Sequence, residues 1–367
     1  MTRVALLLIA AALLSTAARA ATVDVVRVNG IINEGTVKYV KRGLSIARAD
    51  ESPVLLVVLD TPGGLLSSTR EIVQAINESP IPVAVYVAPG GASATSAGTI
   101  LTMAAHYAGM APGTNIGAAH PVGGQGEDIK GAMKTKAEND TVAFIRAQAL
   151  LRGRNADWAE EAIRKSVAVP ADEALKLKVV DFIADDLKDA VMKIDAQPAR
   201  SGVAGAPRSA RQVHATGLPL REIPMTAAER FLAFIGDPNV SYLLMTLGSF
   251  GLYIELTTPG AIFPGVLGAI SLILAFVSFA TLPVNLGGLA LLVLAFLLFG
   301  AEPFITSHGV LTVGGIVSLL LGGLFVLDAS TGDLLISLAL LLPTALALAG
   351  ATFTLMETTS PSRGAKA

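Results

Sequence analysis

The 367-residue sequence has no cysteine and only four histidines. The lack of cysteine excludes disulfides, thiolate nucleophiles and the zinc or iron–sulfur sites that cysteine builds. The histidines are scattered along the chain, so they do not have the spacing of metal ligands. We therefore expect a protein that works without a metal ion or another cofactor.

Lysine and arginine are missing altogether between Pro238 and Met356. The charged residues of this stretch are four acidic ones: Glu255, Glu302, Asp328 and Asp333. The mean hydropathy of the chain, +0.62, is typical of membrane proteins. The N-terminal part has ordinary charge density and is long enough to bury its own core. A net charge of −2 without a basic stripe argues against nucleic acid as a partner.

The first 20 residues have the three regions of a secretory signal peptide. Arg3 precedes an apolar run at 4–14, and the Ala-Arg-Ala sequence at 18–20 is typical of a cleavage site. We predict cleavage after Ala20, because the apolar run is too short to span a bilayer. The domain that follows should therefore lie outside the cytoplasm.

Between residues 21 and 196, short β-branched runs alternate with longer amphipathic runs. The main predicted elements are a strand at 23–28, a helix at 35–47, a strand at 54–59, a helix at 65–76 and a strand at 83–87. This alternation predicts an α/β domain with a largely parallel sheet. Ligands of such sheets bind where strands end and helices begin.

Residues 197–219 are rich in Ala, Gly, Pro, Ser and Arg without periodicity, which predicts a flexible linker, placed at 197–225. Next, Thr226 and Glu229 have the spacing of a capping box at the start of a short helix at 226–237. This helix either lies in the membrane interface or simply connects the two regions, and the sequence leaves both interpretations open.

The membrane domain is predicted at 238–356, followed by a short tail at 357–367. Its apolar runs, each close to the ~20 residues that cross a hydrocarbon core, lie at 240–257, 261–281, 284–301, 309–327 and 334–355. We count five spans, with four as the alternative. Five spans after an exported domain would place Arg363 and Lys366 in the cytoplasm, in agreement with the positive-inside rule.

A Pro-Gly-Gly turn at 62–64 follows the strand at 54–59. Two successive glycines let the backbone approach a ligand closely, and N–H groups at the start of the next helix can face a developing oxyanion. Gly63 and Gly64 are therefore candidate oxyanion donors. By itself, Pro-Gly-Gly is also the sequence of an ordinary turn.

Ser96 lies in a run of small residues at 91–99, between a predicted strand and a predicted buried helix. A serine at such a strand–turn–helix bend has an exposed hydroxyl and room for a substrate carbonyl. Ser96 is preferred to Ser93 because alanine and glycine follow it. The alternative is that both hydroxyls only cap the helix.

A serine nucleophile needs a base, and Lys136 and His120 are the candidates. Thr135 and Glu138 have capping-box spacing, which predicts Lys136 as the first residue of a helix. There, the positive end of the helix dipole would favour the neutral amine, which can accept a hydroxyl proton. A solvated surface lysine is the alternative. His120 needs no such tuning to act near neutral pH.

Five motifs together make the sequence resemble the NfeD-type membrane-bound serine proteases, which belong to the ClpP, signal peptide peptidase and crotonase fold group. They are DTPGG at 60–64, GASATSAGT at 91–99, MAPGTNIGA at 110–118, GRN at 153–155 and AEE at 159–161. The resemblance covers about residues 22–355. It implies a ClpP/crotonase-like soluble domain ahead of a helical membrane domain.

The resemblance implies that Ser96 is the nucleophile and Lys136 the base. His120 resembles the histidine of the Clp proteases in its spacing, but it lies where the NfeD pattern has no catalytic base. It remains the alternative base.

For the oxyanion, the resemblance implies the glycine turn at Gly63 and Gly64, and the Ala97 N–H is a candidate second donor. It also implies a stomatin-like or prohibitin-like membrane protein as substrate or partner, and self-association into a homo-oligomer in contact with membrane lipid. Longer family members continue into a small OB-like β-barrel, which this sequence lacks after the last apolar run. A truncated gene, or a separate chain supplying the barrel, would fit this departure.

Three functions follow as hypotheses. The first is a serine endopeptidase that cleaves apolar segments of membrane-associated proteins. The second is a catalytically inactive membrane scaffold with a protease-like fold. The third, thioester chemistry on the same fold, conflicts with export, because a periplasm contains no acyl-CoA.

The topology can be tested with alkaline phosphatase, which is active only outside the cytoplasm. We expect activity when it is fused after Ala196 and no activity when it is fused after Arg363, because five spans separate the two points. Activity at both fusion points would instead indicate four spans.

Overall fold

The computed structural model describes residues 21–121, 131–198, 213–258, 262–282, 284–302, 305, 307, 309–326, 336 and 338–359. The predicted signal peptide at 1–20 lies outside these residues. So do residues 360–367 of the predicted tail.

The N-terminal domain alternates strands and helices, as predicted. Its described strands are β1 (Val23–Asn29), β2 (Leu55–Asp60), β3 (Val83–Val87), β4 (Ser93–Thr95), β5 (Tyr107–Met110), β6 (Asn115–Gly117), β7 (Ala168–Pro170), β8 (Phe182–Ile183) and β9 (Leu220–Glu222). Its described helices are α1 (Glu34–Ala49), α2 (Leu66–Asn77), α3 (Ala97–Ala104), α4 (Gly131–Arg152), α5 (Ala156–Arg164), α6 (Ala171–Lys176) and α7 (Leu187–Asp195).

Six strands form one sheet in the order β8-β5-β3-β2-β1-β9, and every neighbouring pair is parallel. Successive side chains of a strand point to opposite faces. Leu55 and Val57 therefore join a core with α1 to α6, whereas Leu56 and Val58 join a second core with α7. The prediction of an α/β domain with a parallel sheet is confirmed.

A smaller sheet, in the order β4-β6-β7, stands at the carboxyl ends of β2 and β3. β4 is parallel to β6, and β6 is antiparallel to β7. Thr61, directly after β2, pairs with Ala94 in β4. The segment after β2 and the segment before α3 are therefore joined side by side.

The prediction of a flexible linker at 197–225 is wrong for residues 213–225, and residues 199–212 lie outside the described part of the chain. β9 adds a parallel strand beside β1, and Val213 and Ala215 are buried in the core that contains α7. Composition suggested flexibility, but the edge of β1 offers unpaired backbone groups that β9 satisfies. Apolar side chains such as Ile223 also cover the sheet.

Helix α8 (Ala227–Ile235) leads to the membrane region and is docked on α1. The predicted capping box forms, because the Thr226 hydroxyl accepts the Glu229 N–H and the Glu229 carboxylate accepts the Thr226 N–H. The buried Glu229 carboxylate also accepts two hydrogen bonds from Arg42, at 2.7 and 2.8 Å. Arg42 holds the pKa of Glu229 below its usual range. This contact therefore stabilises the docked helix above the ordinary carboxyl pKa and is lost as the pH falls through the lowered value.

The predicted apolar runs are helices in the described part of the chain. They are α9 (Pro238–Thr257), α10 (Ile262–Thr281), α11 (Leu286–Ala301), α12 (Val310–Phe325) and α13 (Leu338–Thr359). By length and composition, Ile262–Phe279 within α10 is the one described stretch that could cross a membrane as a full span. Leu286–Ala301, Val310–Phe325 and Leu340–Gly350 are shorter apolar helices.

These helices run alternately up and down. Ser241 near the start of α9 is hydrogen-bonded to Ser278 near the end of α10. The Asn285 N–H, just before α11, donates to the Val326 carbonyl at the end of α12. The starts of α9 and α11 and the ends of α10 and α12 therefore lie at the end of the bundle next to α8.

The docking of α8 on α1 can be tested with Gly35→Ala. A Cβ at this position would lie 2.4 Å from the Ala233 nitrogen and 2.8 Å from the Glu229 carbonyl oxygen, both of them backbone atoms. We expect the full chain to lose about 1–3 kcal/mol of stability through overpacking, measured by thermal unfolding in detergent.

The matched control is Ser45→Ala, at an exposed position of the same helix, with an expected effect of ~0.5 kcal/mol or less. An increase in melting temperature for Gly35→Ala, as alanine gives in an isolated helix, would contradict the docked arrangement.

Candidate active site

The Pro-Gly-Gly turn joins β2 to α2 and is held against Ile32. The Ile32 N–H donates to the Gly63 carbonyl, and the Leu65 N–H donates to the Ile32 carbonyl, both at 2.9 Å. A Cβ on Gly64 would lie 2.3 Å from the Ile32 oxygen, so only glycine fits there. Among the described residues, the Gly64 N–H has no acceptor. It is therefore available to a substrate oxygen.

Ser96 stands between β4 and α3, at the N-cap position of the helix. Its φ of 52° and ψ of −111° are disfavoured for a residue with a Cβ. The half-buried Ser96 side chain makes no capping hydrogen bond, so the interpretation of this hydroxyl as a helix cap is wrong. The N–H groups of Ala97 and Gly98 lie in the first turn of α3, where helical N–H groups have no intrahelical acceptor.

The Ser96 turn is held by hydrogen bonds from neighbouring strands. The Ser96 N–H donates to the Gly117 carbonyl at 3.1 Å, and the buried Thr99 hydroxyl donates to the same carbonyl at 2.9 Å. The Thr61 N–H donates to the Ser93 carbonyl, and the Thr95 N–H donates to the Thr61 carbonyl. These bonds place the Ser96 turn beside the turn that carries Gly64.

Ser93 has a structural role instead. Its hydroxyl donates to Asn115 Oδ1 at 2.7 Å, and its N–H donates to Asp60 Oδ1 at 3.0 Å. Because its hydroxyl is engaged by Asn115 of β6 and its N–H by Asp60 at the end of β2, Ser93 is the weaker candidate for a nucleophile. This geometry agrees with the choice of Ser96.

Two buried arginines hold the other end of α3. Arg154 Nη1 donates to the Met103 and Ala105 carbonyls at 2.9 and 2.7 Å, and Arg152 Nε donates to the Ala104 carbonyl at 2.7 Å. Burial lowers the pKa of Arg152 to about 10, which leaves the guanidinium charged at neutral pH. A cation at a helix C-terminus is favourable. Sequence reasoning missed this pair, because their partners are distant in the chain.

Lys136 is not the first residue of its helix, contrary to prediction. The described part of α4 already begins at Gly131, so Thr135 lies inside the helix and does not cap it. The Lys136 side chain is exposed. The positive end of the helix dipole acts within the first turn, and Lys136 lies beyond it.

The register of α4 against α2 places Lys136 relative to the glycine turn. Arg70 in α2 forms an ion pair with Asp140 at 2.5 Å, and Asn77 is hydrogen-bonded to Gln148 at 3.0 Å. The two helices therefore run in the same direction. Lys136 lies one turn before Asp140. Lys136 is therefore level with the start of α2, which closely follows Gly64 in the chain.

His120 is half-buried, and its Nδ1 is engaged in a hydrogen bond. Its Nδ1 lies 2.7 Å from the Ile163 carbonyl oxygen in α5. A carbonyl only accepts, so Nδ1 carries the proton, and in the neutral ring Nε2 holds the lone pair. This tautomer is the one that a general base acting through Nε2 requires.

The described residues contain no group of three or more His, Asp or Glu side chains that could hold a metal ion. What the site offers is a strained serine, N–H groups in two adjacent turns, and a lysine and a histidine within the surrounding elements. These are the parts needed for acyl transfer.

Family models match both regions of the chain. The model of the NfeD1b N-terminal domain matches residues 22–192, and that of the NfeD integral membrane domain matches residues 239–357. A membrane-bound protease of Pyrococcus horikoshii is 36% identical over 305 residues, which are 82% of this chain and 68% of that protein.

Two solved structures of a membrane-bound stomatin-specific protease are also similar. One is a lysine-to-alanine variant in complex with a substrate peptide; it has 33% identity and a TM-score of 0.55, and the match covers 59% of this chain and 98% of that one. The other is a serine-to-alanine variant with 34% identity and a TM-score of 0.53, covering 56% of this chain and 99% of that one.

The strain at Ser96 predicts a conflict between stability and activity. Ser96→Gly should stabilise the full chain by roughly 1 kcal/mol, because glycine adopts this backbone conformation without a Cβ penalty. Ser96→Ala, the matched control, removes the hydroxyl but keeps the strain, so its stability should stay near that of the original chain. Denaturant unfolding in detergent measures both. A glycine variant no more stable than the alanine variant would contradict the strain.

Proposed function

The chain belongs to the NfeD family of membrane proteins, and we propose that it is a membrane-bound serine endopeptidase with Ser96 as nucleophile and Lys136 as base. The observation that carries this proposal is the backbone of Ser96. A disfavoured φ of 52° in a non-glycine residue is retained at the N-terminus of α3 while the hydroxyl caps nothing. Strain of this kind is typical of nucleophiles at strand–turn–helix bends.

The reaction would proceed by acyl transfer. Ser96 Oγ attacks the scissile carbonyl carbon while its proton passes to the Lys136 amine. The resulting oxyanion accepts the N–H groups of Gly64 and Ala97. The C–N bond then breaks, and the Lys136 ammonium returns the proton to the leaving amine. Water attacks the acyl-enzyme by the same route, which releases the acid and restores the Ser96 hydroxyl.

We propose apolar segments of membrane-associated proteins as substrates. Alanine and glycine surround Ser96, and the two turns contain no basic side chain that would select an acidic residue. A stomatin-like or prohibitin-like protein is the proposed partner, because the solved relatives are named stomatin-specific. Self-association and contact with lipid remain part of the proposal.

We also propose five membrane spans with the protease domain outside the cytoplasm. The Tyr242 hydroxyl near the start of α9 is hydrogen-bonded to the Thr344 hydroxyl near the start of α13, so these two helices begin at the same end of the bundle. With the alternating directions of α9 to α12, this supports an odd number of crossings, which would put the end of α13 on the side opposite to α8. The protease domain proposed at 21–196 would then lie on one side of the bilayer. The membrane domain proposed at 238–356 would lie within it.

The second candidate is an inactive membrane scaffold with a protease-like fold. The exposed position of Lys136, which forms no hydrogen bond with the Ser96 hydroxyl among the described residues, favours this alternative. A scaffold has no reason to activate a serine. The two functions therefore differ in whether Ser96 reacts as a nucleophile.

A fluorophosphonate probe tests the proposal on the detergent-solubilised full chain. We expect labelling that Ser96→Ala abolishes and Ser93→Ala retains, because only Ser96 has the predicted activation. Lys136→Arg should be as inactive as Lys136→Ala, since arginine keeps the charge but cannot accept the proton. Hydrolysis of an apolar peptide should fall by about 10²-fold or more in either lysine variant.

Two outcomes would contradict parts of this proposal. If folded Lys136→Ala keeps substantial turnover while His120→Ala loses it, His120 is the base. If the original chain is not labelled at all under conditions that label a known serine hydrolase, the scaffold is the better description.

A further inference from the structure

Leu65 lies in the core of the membrane bundle, although it directly follows Gly64. It is 4% exposed and packs in one cluster with Tyr242 of α9 and Phe279 of α10. Ile31 is packed against the same cluster. Both segments that form the glycine turn therefore rest on the end of the bundle next to α8.

The contacts and exposed side chains of helix α8 indicate that it also lies at this end of the bundle. One side of α8 packs on α1, where Asn33 Nδ2 donates to the Ala233 carbonyl at 2.9 Å. Phe231 and Phe234 are exposed, at 47% and 59%. Exposed Phe side chains on a short amphipathic helix are typical of helices that lie in the bilayer interface. The glycine turn and the exposed face of α8 therefore meet the bundle at one end.

From this placement we infer that the proposed protease cleaves its substrates at the bilayer surface, within about ten residues of a membrane-embedded segment. The headgroup layer on each side of the hydrocarbon is roughly 5–8 Å thick, and an extended chain advances about 3.3 Å per residue. Two or three residues cross the headgroups, and a few more fill the site. The inference rests on the proposed endopeptidase activity.

The inference distinguishes this chain from a tethered protease whose site stands well above the membrane. A site about 40 Å above the bilayer could be reached only after a dozen or more extended residues. A protease with such a site would therefore favour peptide bonds far from the membrane anchor of its substrate. A site seated on the bundle favours bonds close to the anchor, because the local concentration of a tethered segment falls as its linker lengthens.

Two matched reporters test the inference with the full chain, co-reconstituted in lipid vesicles. Each has one membrane-spanning segment, one apolar cleavable sequence and one Gly/Ser spacer of 40 residues on the side of the protease domain. In the near reporter the cleavable sequence starts five residues after the span, and in the far reporter the spacer comes first. We expect the initial cleavage rate of the near reporter to be at least 10-fold higher.

Versions of both reporters without the membrane span, assayed in detergent, provide the control. They should be cleaved at equal rates, which shows that the order of segments does not itself affect the scissile sequence. Equal rates for the anchored pair, or faster cleavage of the far reporter, would overturn the inference and leave the endopeptidase intact. If neither anchored nor soluble reporters are cleaved, the proposed activity fails and the inference with it.

Discussion

The close contact between Gly64 and Ile32 is the constraint on which the rest of the site depends. The backbone of Ile32 occupies the space that a Cβ at position 64 would need, and two hydrogen bonds join the segments. The residue that follows Ile32 and the residue that follows Gly64 contact different parts of the molecule. Asn33 binds the Ala233 carbonyl in α8, and Leu65 enters the core of the membrane bundle. One backbone contact therefore fixes the proposed oxyanion turn relative to both the connecting helix and the bundle.

The strained backbone of Ser96 also requires neighbours that prevent it from relaxing. A backbone conformation like that of Ser96 costs of order 1–3 kcal/mol. At its own end of α3, the Gly117 carbonyl accepts from the Ser96 N–H and from the Thr99 hydroxyl. At the far end, Arg152 and Arg154 bind the last carbonyls. Because the helix is held at both ends, it cannot rotate or slide to relieve the strain at its N-cap.

The sequence predicted most local features and failed where a competing local signal or a distant segment decides. Thr226 and Glu229 form the predicted capping box, whereas Thr135 with the same spacing does not, because the helix already begins at Gly131. The residues between Gly131 and Thr135 have high helix propensity, so the helix does not wait until Thr135 to begin. Likewise, β9 follows from the free edge of a strand nearly 200 residues away, and the positions of Arg152 and Arg154 follow from carbonyls at the end of α3, far earlier in the chain. Such partners have no local pattern.

The proposed site lies where two hydrophobic cores meet. Ala94 and Ala97, on either side of Ser96, are buried in the core of the α/β domain, whereas Leu65 is buried with the membrane helices. The turn that carries the Gly64 N–H is held by both cores, because Ile32 is buried in the core of the α/β domain and Leu65 in that of the bundle. The pairing of Thr61 with β4 joins this turn to Ser96, the proposed nucleophile. Stabilisation of an oxyanion requires donors within about 2.7–3.1 Å of it. A small displacement of the bundle against the domain would therefore weaken binding of the transition state more than binding of the peptide. In the proposed reaction, the packing of the membrane helices would therefore act on the chemical step itself.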